Sequence, residues 1–259
     1  THQHHRQDTP HHRQQHQQPQ HHRHNQQQRQ QSNPSYDQRQ NFISIGNFRH
    51  PPNWDCVLWL KQQIWPLIRQ QLPTVKLLIC GAYPPPKATD LHDEKSGFLV
   101  KGWVDDAVQE MQSARVCLAP LRFGAGIKGK LAEAMFCGTP NVTTHIGVEG
   151  MSMGLDWSGL TTDLSLFDSN ENSAVDFAEH AVQLYQDQVL WQQKQQYGYR
   201  LIKANFNKDE IQLKLLARIV NIEKNLESHR ADNFVGQMLQ HHHLKSTQYM
   251  AQWIEAKNR

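Results

Sequence analysis

Two apolar runs that stop abruptly on glycine limit what this chain can fold into: "NFISIG" at 41–46 and "VKLLICGA" at 75–82. A third, "ARVCLAP" at 114–120, stops on proline. The cores of the last two, "LLIC" and "VCLA", do not alternate apolar with polar residues, so both faces of each strand need cover. Between the first two runs Val57, Leu60, Ile64, Leu67 and Ile68 recur at helical spacing. Pro66 should kink that helix or start a second short turn. "GFLVKGW" (97–103) reads as a strand, and "VDDAVQEMQS" as a short helix with Asp105 or Asp106 near its start. "KLAEAMFCG" (130–138) reads as a helix stopped by Gly138, and "TPNVTT" (139–144) as a strand entered through proline. Strands alternating with helices predict an α/β domain, a Rossmann-like parallel sheet with helices on both faces. Ligands of such sheets bind outside the carboxyl ends of the strands. That rule gathers "GNFRHPPN" (46–53), "GAYPPP" (81–86) and "PLRFGAGIKGK" (120–130) on one rim.

Beyond this domain, placed at 41–168, the chain reads as helical. Phe177, Ala178, Ala181, Val182 and Tyr185 form one stripe, and Ile211, Leu213, Leu215 and Ile219 suggest another helix. These define a block at 169–225 expected to pack on the sheet domain, followed by a helical extension at 226–259. The "HHH" at 241–243 reads as surface, because consecutive helix residues point in different directions.

Residues 1–40 have one apolar side chain, Tyr36, among many Gln, His and Arg, and are expected to be a disordered tail. Five Arg and two Asp give this tail a charge of 5 − 2 = +3, which equals the net charge of the whole chain. The other 219 residues are therefore balanced, and no nucleic-acid partner is expected. The tail's nine His are irregularly spaced, which favours a solvated linker over a metal site. Cys56, Cys80, Cys117 and Cys137 lie in apolar contexts without CxxC pairing, as expected of buried reduced thiols in a cytoplasmic protein. No run reaches the length of a membrane span, and peripheral association with the inner face of a membrane is the alternative setting.

On the rim, Gly46, Gly124 and Gly126 would let main-chain N–H groups approach a ligand, and the following helix offers its positive end. Lys128 and Lys130 add cations, and Arg49 can reach the same space. Together they describe a diphosphate site, with Glu133 suited to ribose hydroxyls. A glycine-rich turn with solvated lysines and a Glu–Lys surface pair would produce the same letters. The Walker spacing and the G-x-G-x-x-G fingerprint are both absent.

The span from about Phe42 to Met151 resembles the nucleotide-sugar half of group 1 glycosyltransferases with GT-B architecture. "FISIGNFRHPPNWDCVLWL", "LLICGAYPP", "KGWVDD", "APLRFGAGIKGKLAEAMFCGTPNVTT" and "IGVEGM" carry the resemblance in order, and "FAEHAVQLYQD" and "NFNKDEI" extend it to about residue 220. The resemblance implies that Arg49, Lys128 and Lys130 stabilise the leaving diphosphate of a UDP or GDP sugar, and that Glu133 holds the ribose. Glu149 belongs to the family's "GVEG" loop without an assigned role. The earlier of the family's two glutamates would fall at Ala125, so sugar-ring contacts stay unassigned. With no D-x-D motif, no metal cofactor is expected, and the implied outcome is transfer with retention to a glycan or lipid-linked acceptor, in polysaccharide assembly. Such enzymes close two domains around their substrates. The chain begins at Thr, and the acceptor domain is expected to lie outside it, in cis or in trans. A sugar-nucleotide-binding module without catalysis, or an inactive fragment, is the competing reading.

Overall fold

The computed structural model describes residues 33–164, 170–240 and 246–258. Six parallel strands form one sheet in the order β3-β2-β1-β4-β5-β6. They are β1 (Gln40–Ile45), β2 (Leu77–Cys80), β3 (Phe98–Gly102), β4 (Ala114–Ala119), β5 (Asn141–Thr144) and β6 (Gly159–Thr162). The side-chain alternation of the two central strands supplies both faces. Phe42, Val116 and Leu118 enter a large apolar cluster, whereas Ile43 and Cys117 enter a smaller one on the opposite side.

The large cluster is closed by α1 (Pro51–Trp59), a π-helical turn (Leu60–Ile64) and α2 (Trp65–Gln71). Pro66 sits in the first turn of α2, where its missing N–H costs least, and the π turn absorbs the irregularity before it. After α3 (Pro86–Thr89), the smaller cluster is covered by α4 (Ala107–Ser113) and α5 (Gly129–Phe136). Asp106, rather than Asp105, caps α4 by accepting from the Gln109 N–H at 2.9 Å. A short α6 (His145–Val148) follows β5. Then α7 (Asn170–Gln186) lays Phe177, Ala178, Ala181, Val182 and Tyr185 on the large cluster, and α8 (Gln188–Asn205) buries Trp191 and Leu201.

The structure corrects three expectations. The tail assigned to 1–40 lies outside the described residues only as far as 32, and from Asn33 onward the chain is part of the fold. The Tyr36 hydroxyl donates to the Tyr185 carbonyl at 2.7 Å, and Arg39 is fully buried. Composition averaged over forty polar residues hides two anchors near its end. β6 leaves no strand signal in the sequence, because "GLTT" has no apolar run. It is held by its ladder with β5, and Gly159 is required there, since a Cβ would lie 1.6 Å from the Asn141 carbonyl oxygen.

The third correction concerns the block at 169–225. The first compact unit ends at Asn205, and a second holds Phe206–Arg259. Within the second lie α9 (Lys208–Lys224), α10 (Leu226–Ala231), α11 (Phe234–Gln240) and α12 (Ser246–Lys257). Ile211, Leu213, Leu215 and Ile219 of α9 are exposed. Apolar periodicity predicts a helix but not the compact unit to which it belongs. The boundary at 168 and the "HHH" at 241–243 lie outside the described residues. No helix among those described is long and apolar enough to cross a membrane.

Candidate functional site

The strand order reverses between β1 and β4, and the crevice at their carboxyl ends is where such a sheet accepts a ligand. Two loops are clamped together on one side of it. The Gly46 N–H donates to the Cys80 carbonyl at 3.0 Å and the Phe48 N–H to the Ala82 carbonyl at 3.1 Å. Gly81 has no room for a side chain, because a Cβ would stand 1.8 Å from the Gly46 carbonyl oxygen. Asn53 on α1 donates back to the Asn47 carbonyl at 3.0 Å, folding the first loop over the helix start.

The opposite lip is the loop from Pro120 to Lys128. Its base is tied down by buried polar groups at the end of β5. Thr143 Oγ1 donates to the Ala119 carbonyl at 2.7 Å, and Thr144 Oγ1 donates to the Leu121 carbonyl while capping α6. The guanidinium of Arg122 is committed to the Asp55 carboxylate and lies over Trp59. It therefore anchors the loop and is not free for a ligand. Gly126 takes φ 73°, the left-handed conformation that glycine adopts without strain.

Between the lips lies a cleft of about 390 Å³. Of the residues singled out from sequence, Gly46, Gly124, Lys128, Lys130 and Glu133 line it. Gly126 sits on the same loop without lining it. Lys128 is 8% exposed, and its Nζ donates to one carbonyl, that of Glu149, at 3.4 Å. Glu149 thus meets the site through its main chain, while its carboxylate is exposed. Lys130 is half-buried. Burial pushes the thiols of Cys56 and Cys117 up to about 11 and about 12, and the Lys130 charge opposes both shifts. Among the described residues neither lysine forms an ion pair, and Glu133 pairs with neither. Two buried or half-buried cations, neither in an ion pair among the described residues, therefore line the cleft with Glu133, beside the first turn of α5, whose N–H groups lack helical acceptors.

Burial pushes the Glu133 carboxyl up from its ordinary range. The fold thus holds its proton more tightly than the unfolded chain, so this residue removes stability as pH rises through the carboxylate range, and the loss persists at neutrality. Glu133→Gln is therefore expected to melt higher than wild type at about pH 7 and equally at about pH 3, where both side chains are neutral. Thermal unfolding at the two pH values measures it, and a gain independent of pH would contradict the cause given.

Arg49 does not line the cleft. Its guanidinium is stacked on Tyr83, with Cζ 4.0 Å from the ring centroid, at the edge next to Asn47 and His50, which do line it. Asn47, His50, Asn53 and Phe123 were not singled out from sequence, although three of them share the "GNFRHPPN" loop with Arg49. Tyr83 had no sequence signal beyond its place on the rim.

Fold and cleft together define a doubly wound α/β domain with a lysine-lined cleft at its switch point. The chain belongs to the group 1 glycosyltransferases, whose family pattern matches residues 39–187. A protein of the Klebsiella pneumoniae cps region, described as an uncharacterized 44.6 kDa protein, is 27% identical over 117 residues, covering 42% of this chain and 30% of that one. Among solved structures, the pneumococcal O-GlcNAc transferase GtfA in complex with UDP and GlcNAc superposes with a TM-score of 0.58 at 18% identity, over 74% of this chain and 38% of its own. A glycosyltransferase from Rickettsia africae gives 0.56 at 13% identity, over 71% and 48%. Anabaena HepE in complex with UDP and glucose gives 0.54 at 14%, over 75% and 51%. These likenesses place the fold in the Rossmann-like half of the GT-B architecture. The chain spans between about a third and a half of the length of these relatives.

Proposed function

We propose that this chain is the donor-binding half of a sugar-transfer enzyme. A nucleotide-diphosphate sugar occupies the cleft, its diphosphate against Lys128, Lys130 and the first turn of α5, with Arg49 at the edge and the ribose on Glu133. The observation that carries this reading is the nearly buried, ion-pair-free Lys128 beside Lys130 in a cleft at the switch point. A buried cation without a counter-ion is unfavourable unless a ligand supplies one.

The chemistry follows from where charge develops. Cleavage of the sugar–diphosphate bond leaves negative charge on the departing phosphate and positive character on the sugar. Cations and N–H donors already aimed at that phosphate stabilise the transition state more than the ground state. Protein groups supply this stabilisation in our reading, with no metal cofactor. Retention at the anomeric carbon accords with the family resemblance. A glycan or lipid-linked acceptor, bound by a domain in cis or in trans, would place the activity in surface-polysaccharide assembly, a setting supported by the cps-region relative.

Calorimetric titration with UDP and GDP, with and without EDTA, tests the donor site. Binding of one nucleotide, unchanged by the chelator, is expected. In the same assay Lys130→Ala should weaken the diphosphate by about tenfold and the free nucleoside by less than about twofold. No binding of either nucleotide at millimolar concentration, or equal loss for diphosphate and nucleoside, would remove the reading.

A further inference from the structure

Tyr83 stands where the chain has every reason to prefer glycine. Its φ is +57°, a left-handed conformation uncommon for a bulky side chain, on the tip of the loop after β2. The residue is 57% exposed, so the burial of apolar surface does not explain its presence. What it does contact is Arg49. The pairing is built in: the Phe48 N–H to Ala82 carbonyl bond, one residue before each partner, and the close approach of Gly81 to Gly46 set the two loop tips side by side.

We infer that Tyr83 is a positioning residue, a platform that holds the Arg49 guanidinium at the edge of the cleft for the diphosphate of the donor. The inference rests on the donor-site reading above. Stacking suits this task because a guanidinium lying on an aromatic face keeps its in-plane N–H groups free, and those are the groups that grip a phosphate in pairs. Arg49 forms no ion pair among the described residues, so the ring is what holds its charged end. A carboxylate in place of the ring would hold arginine as firmly but would consume the same donors. The unfavourable backbone at Tyr83 is thus offset by an orientation that a freely rotating arginine would have to adopt on binding.

The test exploits the two opposing roles of this side chain. Tyr83→Gly relieves the backbone, so its thermal midpoint should equal or exceed that of wild type. It should nonetheless bind the nucleoside diphosphate about five- to tenfold more weakly, with the nucleoside changed less than about twofold. Tyr83→Phe keeps the ring face and should bind like wild type. With Arg49→Ala already made, Tyr83→Gly should cost no further affinity. Wild-type affinity in Tyr83→Gly, tighter binding, or the same loss with and without Arg49 would each overturn the platform. Failure of the wild-type protein itself to bind either nucleotide would overturn the donor site and the platform with it.

Discussion

Lys128→Met is expected to abolish most of the affinity for a nucleoside diphosphate while leaving the ligand-free protein at least as stable as wild type. The two effects have one cause. Lys128 is buried as a residue, and its ammonium has a single carbonyl at 3.4 Å and no carboxylate partner among the described residues. Holding it there costs the fold free energy that an anionic ligand would return. Methionine keeps the length and apolar body of the side chain, so the packing between the cleft and the "GVEG" loop is retained. Loss of a charge-assisted contact to phosphate should raise the dissociation constant by about 10- to 150-fold. The ligand-free melting temperature should rise by about 2–4 °C for each kcal/mol recovered. Calorimetry and thermal scanning on the same preparation decide it. A variant that binds the diphosphate normally would place the phosphates elsewhere, and one that melts lower would mean that Lys128 already has a partner.

The second large effect is structural. Arg39→Met is expected to destabilise the sheet unit by about 3 kcal/mol or more, because it strands several buried acceptors at once. The guanidinium donates to the carbonyls of Pro34 (2.9 Å), Ala114 (3.3 Å) and Cys137 (2.7 Å) and to Thr139 Oγ1 (2.7 Å), and it lies over the Trp191 ring. It thereby joins the entry to β1, the start of β4, the end of α5 and α8. Thr139 retains its own donation to the Met111 carbonyl, so the three carbonyls carry the loss. Burial pulls the Arg39 pKa down to about 10. A depressed basic pKa means that the fold penalises the charged form, a penalty relieved only as pH rises past that value. The destabilisation should therefore be flat between about pH 6 and pH 8. Urea unfolding measures the effect. A change below about 1 kcal/mol would show that water can take the place of the guanidinium.

Arg39 also shows where sequence reading stops. By composition it belonged to a polar tail, since its neighbours are Gln, Asp and Asn, and no local pattern separates a fully enclosed arginine from a solvated one. Its burial is decided by carbonyls at Ala114 and Cys137, both more than seventy residues away. The same limit applies at the site. Lys128, Lys130, Glu133 and the glycines could be picked out because "GAGIKGKLAE" joins a strand end to a helix start, and that junction is a local feature. That neither lysine forms an ion pair among the described residues could not be read, because a neighbouring Asp55 could as well have taken a lysine as Arg122. The stacking of Arg49 on Tyr83 depends on a loop-to-loop approach that neither loop announces.

The sequence by itself determined the alternation of strands and helices, the buried character of the central strands and the loops that share a rim. It could do so because these follow from side-chain periodicity and from glycine and proline within a few residues of each position. Only the tertiary structure decided the strand order, the enclosure of Arg39 and Lys128, the sixth strand and the unit to which α9 belongs. Those depend on which distant groups meet, and hydrogen bonding and burial between segments far apart in the chain leave no periodic trace in the order of residues.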